Sequence, residues 1–133
     1  MEVREGMSSI VLSVGPSHTL RQVAEKMGEK RTGAALVFDD ESPAPRIITE
    51  RDILKAVGTG KDPDNETVAD HMSESVISAA PDWSLEQAAE EMVRRSIRHL
   101  VIVERGELVG VLSMRDIVRC WTEVGATSSM SPP

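Results

Sequence analysis

The chain contains an internal repeat, and this feature limits the possible folds more than any other. The first matching segments recur 65 positions later, and the later ones recur after 64, which a shortened loop would explain. Residue order, spacing and type are kept over about 45 positions, so the match indicates a duplicated structural unit. Because a piece of about 60 residues buries too little surface to be stable alone, we expect the two units to share a core. The pairs are Met7–Ser13 with Met72–Ser78, Leu20–Met27 with Leu85–Met92, Leu36-Val37 with Leu100-Val101, and Thr49–Ile53 with Ser113–Ile117.

Local signals predict the same order of elements in both halves. Thr19 with Gln22, and Ser84 with Gln87, form the pattern of a capping box, and apolar residues follow each pair at helical spacing. Short runs rich in β-formers come before and after these helices. Each unit is therefore predicted to be β-α-β-β-α, giving a mixed α/β (α+β) fold of two tandem units. The predicted strands are 11–14, 35–38 and 46–48 in the first unit and 76–79, 100–103 and 109–112 in the second, with a last helix starting at Thr49 or Ser113.

Turn-forming residues set the expected boundaries. Pro43 and Pro45 predict the hairpin turn of the first unit, and Gly106 predicts that of the second. The glycines, proline and asparagine within 58–66 indicate a linker. The sequence thus predicts a first unit at 1–60 (core about 7–57), a second at 61–125 (core about 72–121), and a disordered tail at 126–133.

Charge and composition exclude several classes of partner. The net charge is −7 and no cluster of Lys and Arg occurs, which argues against nucleic acid or an anionic membrane as a partner. The apolar runs are far too short to span a bilayer. With Cys120 as the single cysteine, no intramolecular disulfide can form. A cytoplasmic location is therefore expected.

The sharpest local motif is Thr49-x-x-Asp52, repeated as Ser113-x-x-Asp116. A hydroxyl followed three residues later by an acid is a helix-capping pattern and explains both residues without a ligand. The same arrangement suits a ligand, because a helix start exposes unpaired N–H groups and a carboxylate can accept hydrogen bonds from two ribose hydroxyls. The residues alone leave these two interpretations open.

Basic residues near these motifs are candidates for binding phosphate. Arg98-His99 precedes a strand of the second unit and would supply two donors, or it is an ordinary solvated pair. By the repeat alignment, Ala34 and Ala35 match this pair, so the two halves are not expected to bind a ligand equally. Arg51 and Arg115 lie within the motifs and would either flank a ligand or face solvent.

Other reactive side chains give weaker signals. His18 and His71 have no neighbours at metal-ligand spacing, so no metal site is predicted. Cys120 stands beside Trp121 late in a helix and is expected to be packed rather than nucleophilic. No catalytic residues are predicted, although an enzyme using Cys120 or His99 is the remaining alternative.

Taken together, the repeated unit and its closing motif resemble the CBS domain, and two in tandem resemble a CBS pair, or Bateman module. The second unit matches best through Gly110–Ile117, whereas Arg46 stands where the first unit would normally have glycine. The resemblance covers residues about 7–121. It implies units packed with pseudo-two-fold symmetry, an adenosine-containing ligand in the clefts between them, and a homodimer formed through the helices.

The resemblance also implies roles for individual residues. Asp52 and Asp116 would hold ribose hydroxyls, helped by Thr49 and Ser113. Phosphate contacts would come from Arg98, His99, Arg115 and Arg51, and the adenine side would be lined by the first strands, at Val11, Ser13, Val76 and Ser78.

The expected function is thus that of a stand-alone regulatory module that senses AMP, ADP, ATP, S-adenosylmethionine or NAD(H). It would need no cofactor beyond this ligand and would signal to an unknown protein target. The alternative is a ligand-free dimerisation or interaction module.

Overall fold

The computed structural model describes residues 1–73 and 75–128, except for the side chains of residues 42, 43 and 124–128. The chain forms two compact units. The first unit is Val11–Val76, and the second combines Met1–Ile10 with the chain from Ile77 onward. In chain order, the elements are α1 (Val3–Gly6), β1 (Ser13–Val14), α2 (Leu20–Lys30), β2 (Ala34–Asp39), β3 (Ser42–Thr49), α3 (Glu50–Gly58), α4 (Val68–His71), β4 (Ser78–Ala79), α5 (Leu85–Arg95), β5 (His99–Glu104), β6 (Glu107–Ser113) and α6 (Met114–Ser128).

Each unit contains a three-stranded sheet with the same topology. The strand orders are β1-β2-β3 and β4-β5-β6, in which the first pair of strands is parallel and the second antiparallel. A helix connects the parallel strands and another follows the hairpin. The predicted β-α-β-β-α order and mixed α/β class are confirmed. None of the helices in the described part of the chain is both long and apolar enough to cross a membrane.

The capping boxes explain why α2 and α5 start where they do. The backbone N–H of Thr19 donates to the Gln22 side chain at 2.9 Å, and the Gln22 N–H donates back to the Thr19 hydroxyl at 3.2 Å. Ser84 and Gln87 make the same exchange at 2.9 and 3.1 Å. Two otherwise unpaired donors are satisfied at each start.

One predicted turn is wrong and the other is confirmed. In the first unit the turn is Asp40-Glu41, and Pro43 and Pro45 lie inside β3. Proline is tolerated there because the β2–β3 register is irregular beyond Val37, and a bulge needs fewer backbone donors. In the second unit the turn has positive φ at Arg105 (53°) and Gly106 (79°), as a tight two-residue hairpin requires.

Two four-residue helices, α1 and α4, were not predicted. The first residue of each donates to the loop before the long helix of its unit: Val3 N–H to Trp83 at 2.8 Å, and Val68 N–H to His18 at 2.9 Å. Both valines are fully buried. The structural repeat therefore begins near residues 1 and 66, earlier than the sequence match indicates.

The chain then extends the hairpin of the same unit. Ser8 exchanges two backbone hydrogen bonds with Val111, at 2.9 and 3.0 Å, and Ser73 does so with Ile47, at 2.8 and 3.3 Å. The segment at the start of each repeat is thus part of the unit formed mainly by the other repeat. Compact units and sequence repeats consequently do not share boundaries.

Each sheet packs its helix-facing side into an apolar core. The first core contains Val14, Leu20, Val23, Met27, Ala35, Val37, Ile48, Ala56 and Val68. The second contains Val3, Ala79, Leu85, Ala88, Met92, Leu100, Ile102, Leu112, Ile117 and Cys120. The final helix extends through Ser128, so three residues of the predicted tail are helical, and residues 129–133 of that tail lie outside the described part.

Candidate ligand-binding site

The Thr/Ser-x-x-Asp motifs lie where the third strand of each sheet passes into a helix. In the first unit, the Thr49 N–H donates to Asp52 Oδ2 at 2.8 Å, and the Thr49 hydroxyl donates to the same oxygen at 3.1 Å. In the second, the Ser113 N–H donates to Asp116 Oδ2 at 2.9 Å, and the Asp116 N–H donates to the Ser113 hydroxyl at 3.0 Å. Both motifs therefore cap helices, as one of the two interpretations requires.

Capping does not exhaust the hydrogen-bonding capacity of these carboxylates. An ionised carboxylate has about four acceptor positions on its two oxygens. The bonds to the helix start fix the orientation of Asp116 through Oδ2. Its side chain keeps 23% of its surface exposed. A positioned, partly exposed acceptor is what a ligand with two hydroxyls would use.

Arg119 is a residue of this site that was not anticipated. Its guanidinium Nη2 lies 3.4 Å from Asp116 Oδ1 and donates to the Gly6 carbonyl at 3.1 Å. The i, i+3 spacing of an acid and a base on one helix face was the available signal. Arg119 connects the second motif to α1, whereas the equivalent position of the first unit carries Lys55.

The strand register places further predicted residues beside the second motif. His99 is the Cα partner of Ser113, and Ser78 is the partner of Val101, two residues beyond His99. Partners across neighbouring strands share a face, and alternate residues return to it. Ser78, His99 and Ser113 therefore lie on one face of the second sheet.

The same register corrects the alignment of the two repeats. Leu36 pairs with Ser13 and Ile47, and Val101 pairs with Ser78 and Val111, so Leu36 is equivalent to Val101 rather than to Leu100. The offset between equivalent residues of the two repeats stays at 65 through the second strand. The change to 64, which is the loss of one residue from the second repeat, occurs in the hairpin. Arg98 and His99 are therefore equivalent to Gly33 and Ala34, not to Ala34 and Ala35.

Backbone hydrogen bonds confirm this equivalence. The Glu50 N–H donates to the Gly33 carbonyl at 2.8 Å, and the Met114 N–H donates to the Arg98 carbonyl at 2.8 Å. Each bond joins the first residue of a helix to the residue before the second strand. Glu50 is a further residue of the first motif that was not anticipated, and its carboxylate lies against Gly33.

The remaining candidates occupy the surroundings of the motifs. Arg98 has an exposed side chain, and Arg51 and Arg115 are exposed in the first turns of α3 and α6. Ser13 and Ser78 are exposed at the starts of β1 and β4. The first strands contain only two residues each. Val11 and Val76 therefore lie just outside them and are half-buried.

The histidines and the cysteine have structural partners. His18 Nδ1 lies 3.0 Å from the Gly15 N–H, and His71 Nε2 lies 2.8 Å from Glu66 Oε1. Cys120 is buried in the second core. Within the described ranges, no group of three or more His, Cys, Asp and Glu side chains is arranged to hold a metal ion.

Comparison with known proteins identifies this architecture. The family model of the CBS domain matches twice, over residues 2–59 and 68–123. The chain belongs to the CBS domain family. Its two CBS domains form a tandem pair, which confirms the resemblance drawn from the repeated motif. The match also covers α1 and α4, the two short helices that the sequence motifs did not predict.

Individual CBS proteins resemble the chain over most of its length. An uncharacterized protein of Methanopyrus kandleri is 36% identical over 111 residues, which are 82% of this chain and 57% of that protein, so the chain spans little more than half of this relative. The structure of a CBS domain protein from Pyrobaculum aerophilum complexed with AMP is 34% identical, with a TM-score of 0.78, and the match covers 96% of this chain and all of that one. The structure of a hexameric CBS-CP12 protein from bloom-forming cyanobacteria is 26% identical, with a TM-score of 0.80, and covers 89% of this chain and 66% of that one.

Proposed function

We propose that this CBS pair is a regulatory module, not an enzyme, that binds an adenosine-containing ligand beside Asp116. The observation that carries the proposal is the fixed Asp116 carboxylate, held by the Ser113 N–H at 2.9 Å and still partly exposed. The Pyrobaculum relative, which matches nearly the whole chain, is complexed with AMP. AMP, ADP, ATP, S-adenosylmethionine and NAD(H) remain the candidate ligands, and no other cofactor is required.

The chemistry of the second unit suits such a ligand. Asp116 would accept hydrogen bonds from the ribose hydroxyls, and charge-assisted bonds of this kind are short and strong. Arg98 and His99 precede or begin the strand paired with the motif and would donate to a phosphate, with Arg115 next to Asp116 in sequence. Ser78 lies on the same face as His99 and, with Val76, would border the adenine. The first unit offers the corresponding Asp52, Thr49, Arg51, Ser13 and Val11.

Binding at this position would act directly on a helix. Ser113 and Asp116 both fix the start of α6. If that helix start shifts, a ligand bound to these two residues would make different contacts before and after the shift. A ligand changes a conformational equilibrium only through such differential contacts. The population of α6 orientations would thus report ligand occupancy to a protein target.

Removal of the Asp116 charge tests the proposal. AMP, ADP, ATP, S-adenosylmethionine and NADH would be added separately while the melting temperature is measured. One of them, at about 100 times its Kd, should stabilise the protein by about 2.7 kcal/mol.

The variant Asp116→Asn keeps the shape of the cap but removes its charge. We expect it to weaken binding about thirtyfold in calorimetric titration, since a hydrogen bond to a charged group contributes roughly 2 kcal/mol. Asp52→Asn is the matched control. If no ligand raises the melting temperature, the proposal fails and an interaction module remains.

We further propose that the module forms a homodimer through α3 and α6. Two pairs of exposed apolar side chains occupy equivalent positions on these helices, Leu54 and Val57 on α3 and Val118 and Trp121 on α6. Leu54 is 72% exposed and Val118 is 53% exposed. Exposed apolar residues that recur on equivalent helices indicate an interaction surface better than scattered ones do.

Charge placed on this surface should separate the subunits. Leu54→Glu combined with Val118→Glu is expected to convert a dimer into a monomer, because unpaired charges would be buried in the interface. Sedimentation equilibrium measures the mass. Phe38→Glu, at an exposed strand position, is the control and should remain dimeric. A wild-type chain that sediments as a monomer contradicts the homodimer.

A further inference from the structure

The residues that flank the two motifs differ in charge. In the first unit the helix begins with Glu50, and the residue before the second strand is Gly33. In the second unit the corresponding residues are Met114 and Arg98, as the equivalent 2.8 Å backbone bonds show. Beside the helix start, the first unit thus has an acidic side chain, Glu50, and the second unit has a basic one, Arg98, at different positions of the repeat.

The Glu50 carboxylate occupies the space that a side chain at position 33 would take. A Cβ atom built on Gly33 would lie 2.8 Å from Glu50 Cδ and Oε1 and 3.1 Å from Oε2. A side chain at position 33 would therefore displace the carboxylate end of Glu50 from its present position. In the second unit, an exposed arginine extends from the equivalent position.

We propose that Glu50 disfavours phosphorylated ligands in the first unit, so that its site prefers an adenosyl compound without a phosphate. This inference depends on the proposed function, because it assigns a ligand class to the second copy of the same site. Thr49 and Asp52 retain the hydrogen bonds of the ribose-type motif at 2.8 and 3.1 Å. The position that would supply a phosphate donor carries Gly33 instead, with the Glu50 carboxylate against it.

Electrostatic repulsion is the physical basis of this selectivity. A phosphate near the start of α3 would approach the carboxylates of both Glu50 and Asp52, whereas in the second unit it would meet Arg98 and a single carboxylate, Asp116. Glu50 is exposed, so solvent screens part of the repulsion. We expect the remaining effect to reduce AMP affinity about tenfold and to affect adenosine little.

Calorimetric titrations with AMP and adenosine test this assignment. The wild-type chain should bind two adenosines with similar affinity, and should bind one AMP about tenfold more tightly than a second. Glu50→Gln, which keeps the size of the side chain, and Glu50→Met, which copies the second unit, should each tighten the weaker AMP site about tenfold. The reciprocal change Met114→Glu should weaken AMP binding about tenfold and leave adenosine binding unchanged. At about 1 M salt, where the screening length is roughly 3 Å, the difference between Glu50→Gln and wild type should shrink.

The Asp116→Asn background isolates the first unit. There, AMP should bind about tenfold more tightly to the chain with Glu50→Gln than to the chain with Glu50, with circular dichroism confirming that both variants are folded. The assignment is overturned if the wild-type chain binds two AMP molecules with equal affinity, if Glu50→Gln does not tighten the weaker AMP site, or if adenosine occupies only one site. If the wild-type chain binds neither compound, the proposed function fails with it. If AMP binds at Asp116 but Glu50→Gln binds AMP no differently from the wild type, the proposed function stands and only the role of Glu50 is overturned.

Discussion

Deletion of residues 1–8 is expected to destabilise the second unit, although these residues lie at the start of the first repeat. The segment supplies Val3 to the second core and pairs Ser8 with Val111 at 2.9 and 3.0 Å. Burial of a valine contributes about 2 kcal/mol. The lost pairing and the core exposed by the deletion should raise the total to about 4 kcal/mol. Chemical denaturation would measure this loss.

Hydrogen exchange locates the effect of the deletion. Faster exchange is expected in β6 and at the start of α5, where Leu85 donates to the Met1 carbonyl at 3.0 Å. Two matched point variants distinguish the effects on the two units. Val3→Ala should increase hydrogen exchange in the second unit, and Val68→Ala should increase it in the first. An unchanged denaturation midpoint after the deletion, or increased exchange confined to α2 and β2, would contradict this organisation.

Substitution of Gly110 by alanine is expected to cost about 2 kcal/mol or more of unfolding free energy. A Cβ atom at this position would lie 2.6 Å from the Ser8 carbonyl oxygen and 3.2 Å from Met7 Sδ. The backbone of the 7–8 segment would therefore have to move away from β6, and forced shifts of this kind cost roughly 1–3 kcal/mol in packed regions. Thermal or denaturant unfolding would show the loss.

Gly28→Ala is the matched control for this substitution. Gly28 lies in α2, where an added Cβ meets nothing within 4 Å. Alanine there should stabilise the protein by about 0.5–1 kcal/mol, because it lowers the entropy cost of forming the helix. The two Gly→Ala changes should thus have opposite signs. Equal effects would show that close approach to Ser8 does not explain the glycine at position 110.

The main elements could be predicted because their signals are local. Thr19 and Gln22 determine a helix start through contacts within four residues, and the apolar spacing behind them identifies the buried face. By contrast, α1 and α4 contain four residues each, too few to show a hydrophobic period. They are stabilised by contacts distant in sequence, such as Val3 with Trp83, which no local pattern contains.

The candidate site was predictable in its motifs but not in its asymmetry. Asp52 and Asp116 follow hydroxyl residues at capping distance, and both form the expected hydrogen bonds. The equivalence of Arg98 with Gly33 depended on strand register, because neighbouring apolar residues such as Leu36 and Val37 fit two alignments equally well. The position of the Glu50 carboxylate against Gly33 and the contact of Arg119 with Asp116 could not be predicted from the sequence, because both depend on side-chain conformation.

The leading segments of the two repeats also bear on how a duplicated chain of this kind could arise. Residues 1–10 belong to the unit of the later repeat, and residues 66–73 belong to that of the earlier one. A chain with a single repeat would therefore lack its own first turn. Two such chains would complete each other by a reciprocal exchange of their leading segments. Fusion of two copies turns that exchange into an internal one. The first unit is then a continuous segment, Val11–Val76, whereas a cut after Val76 would separate the second unit from its own leading segment.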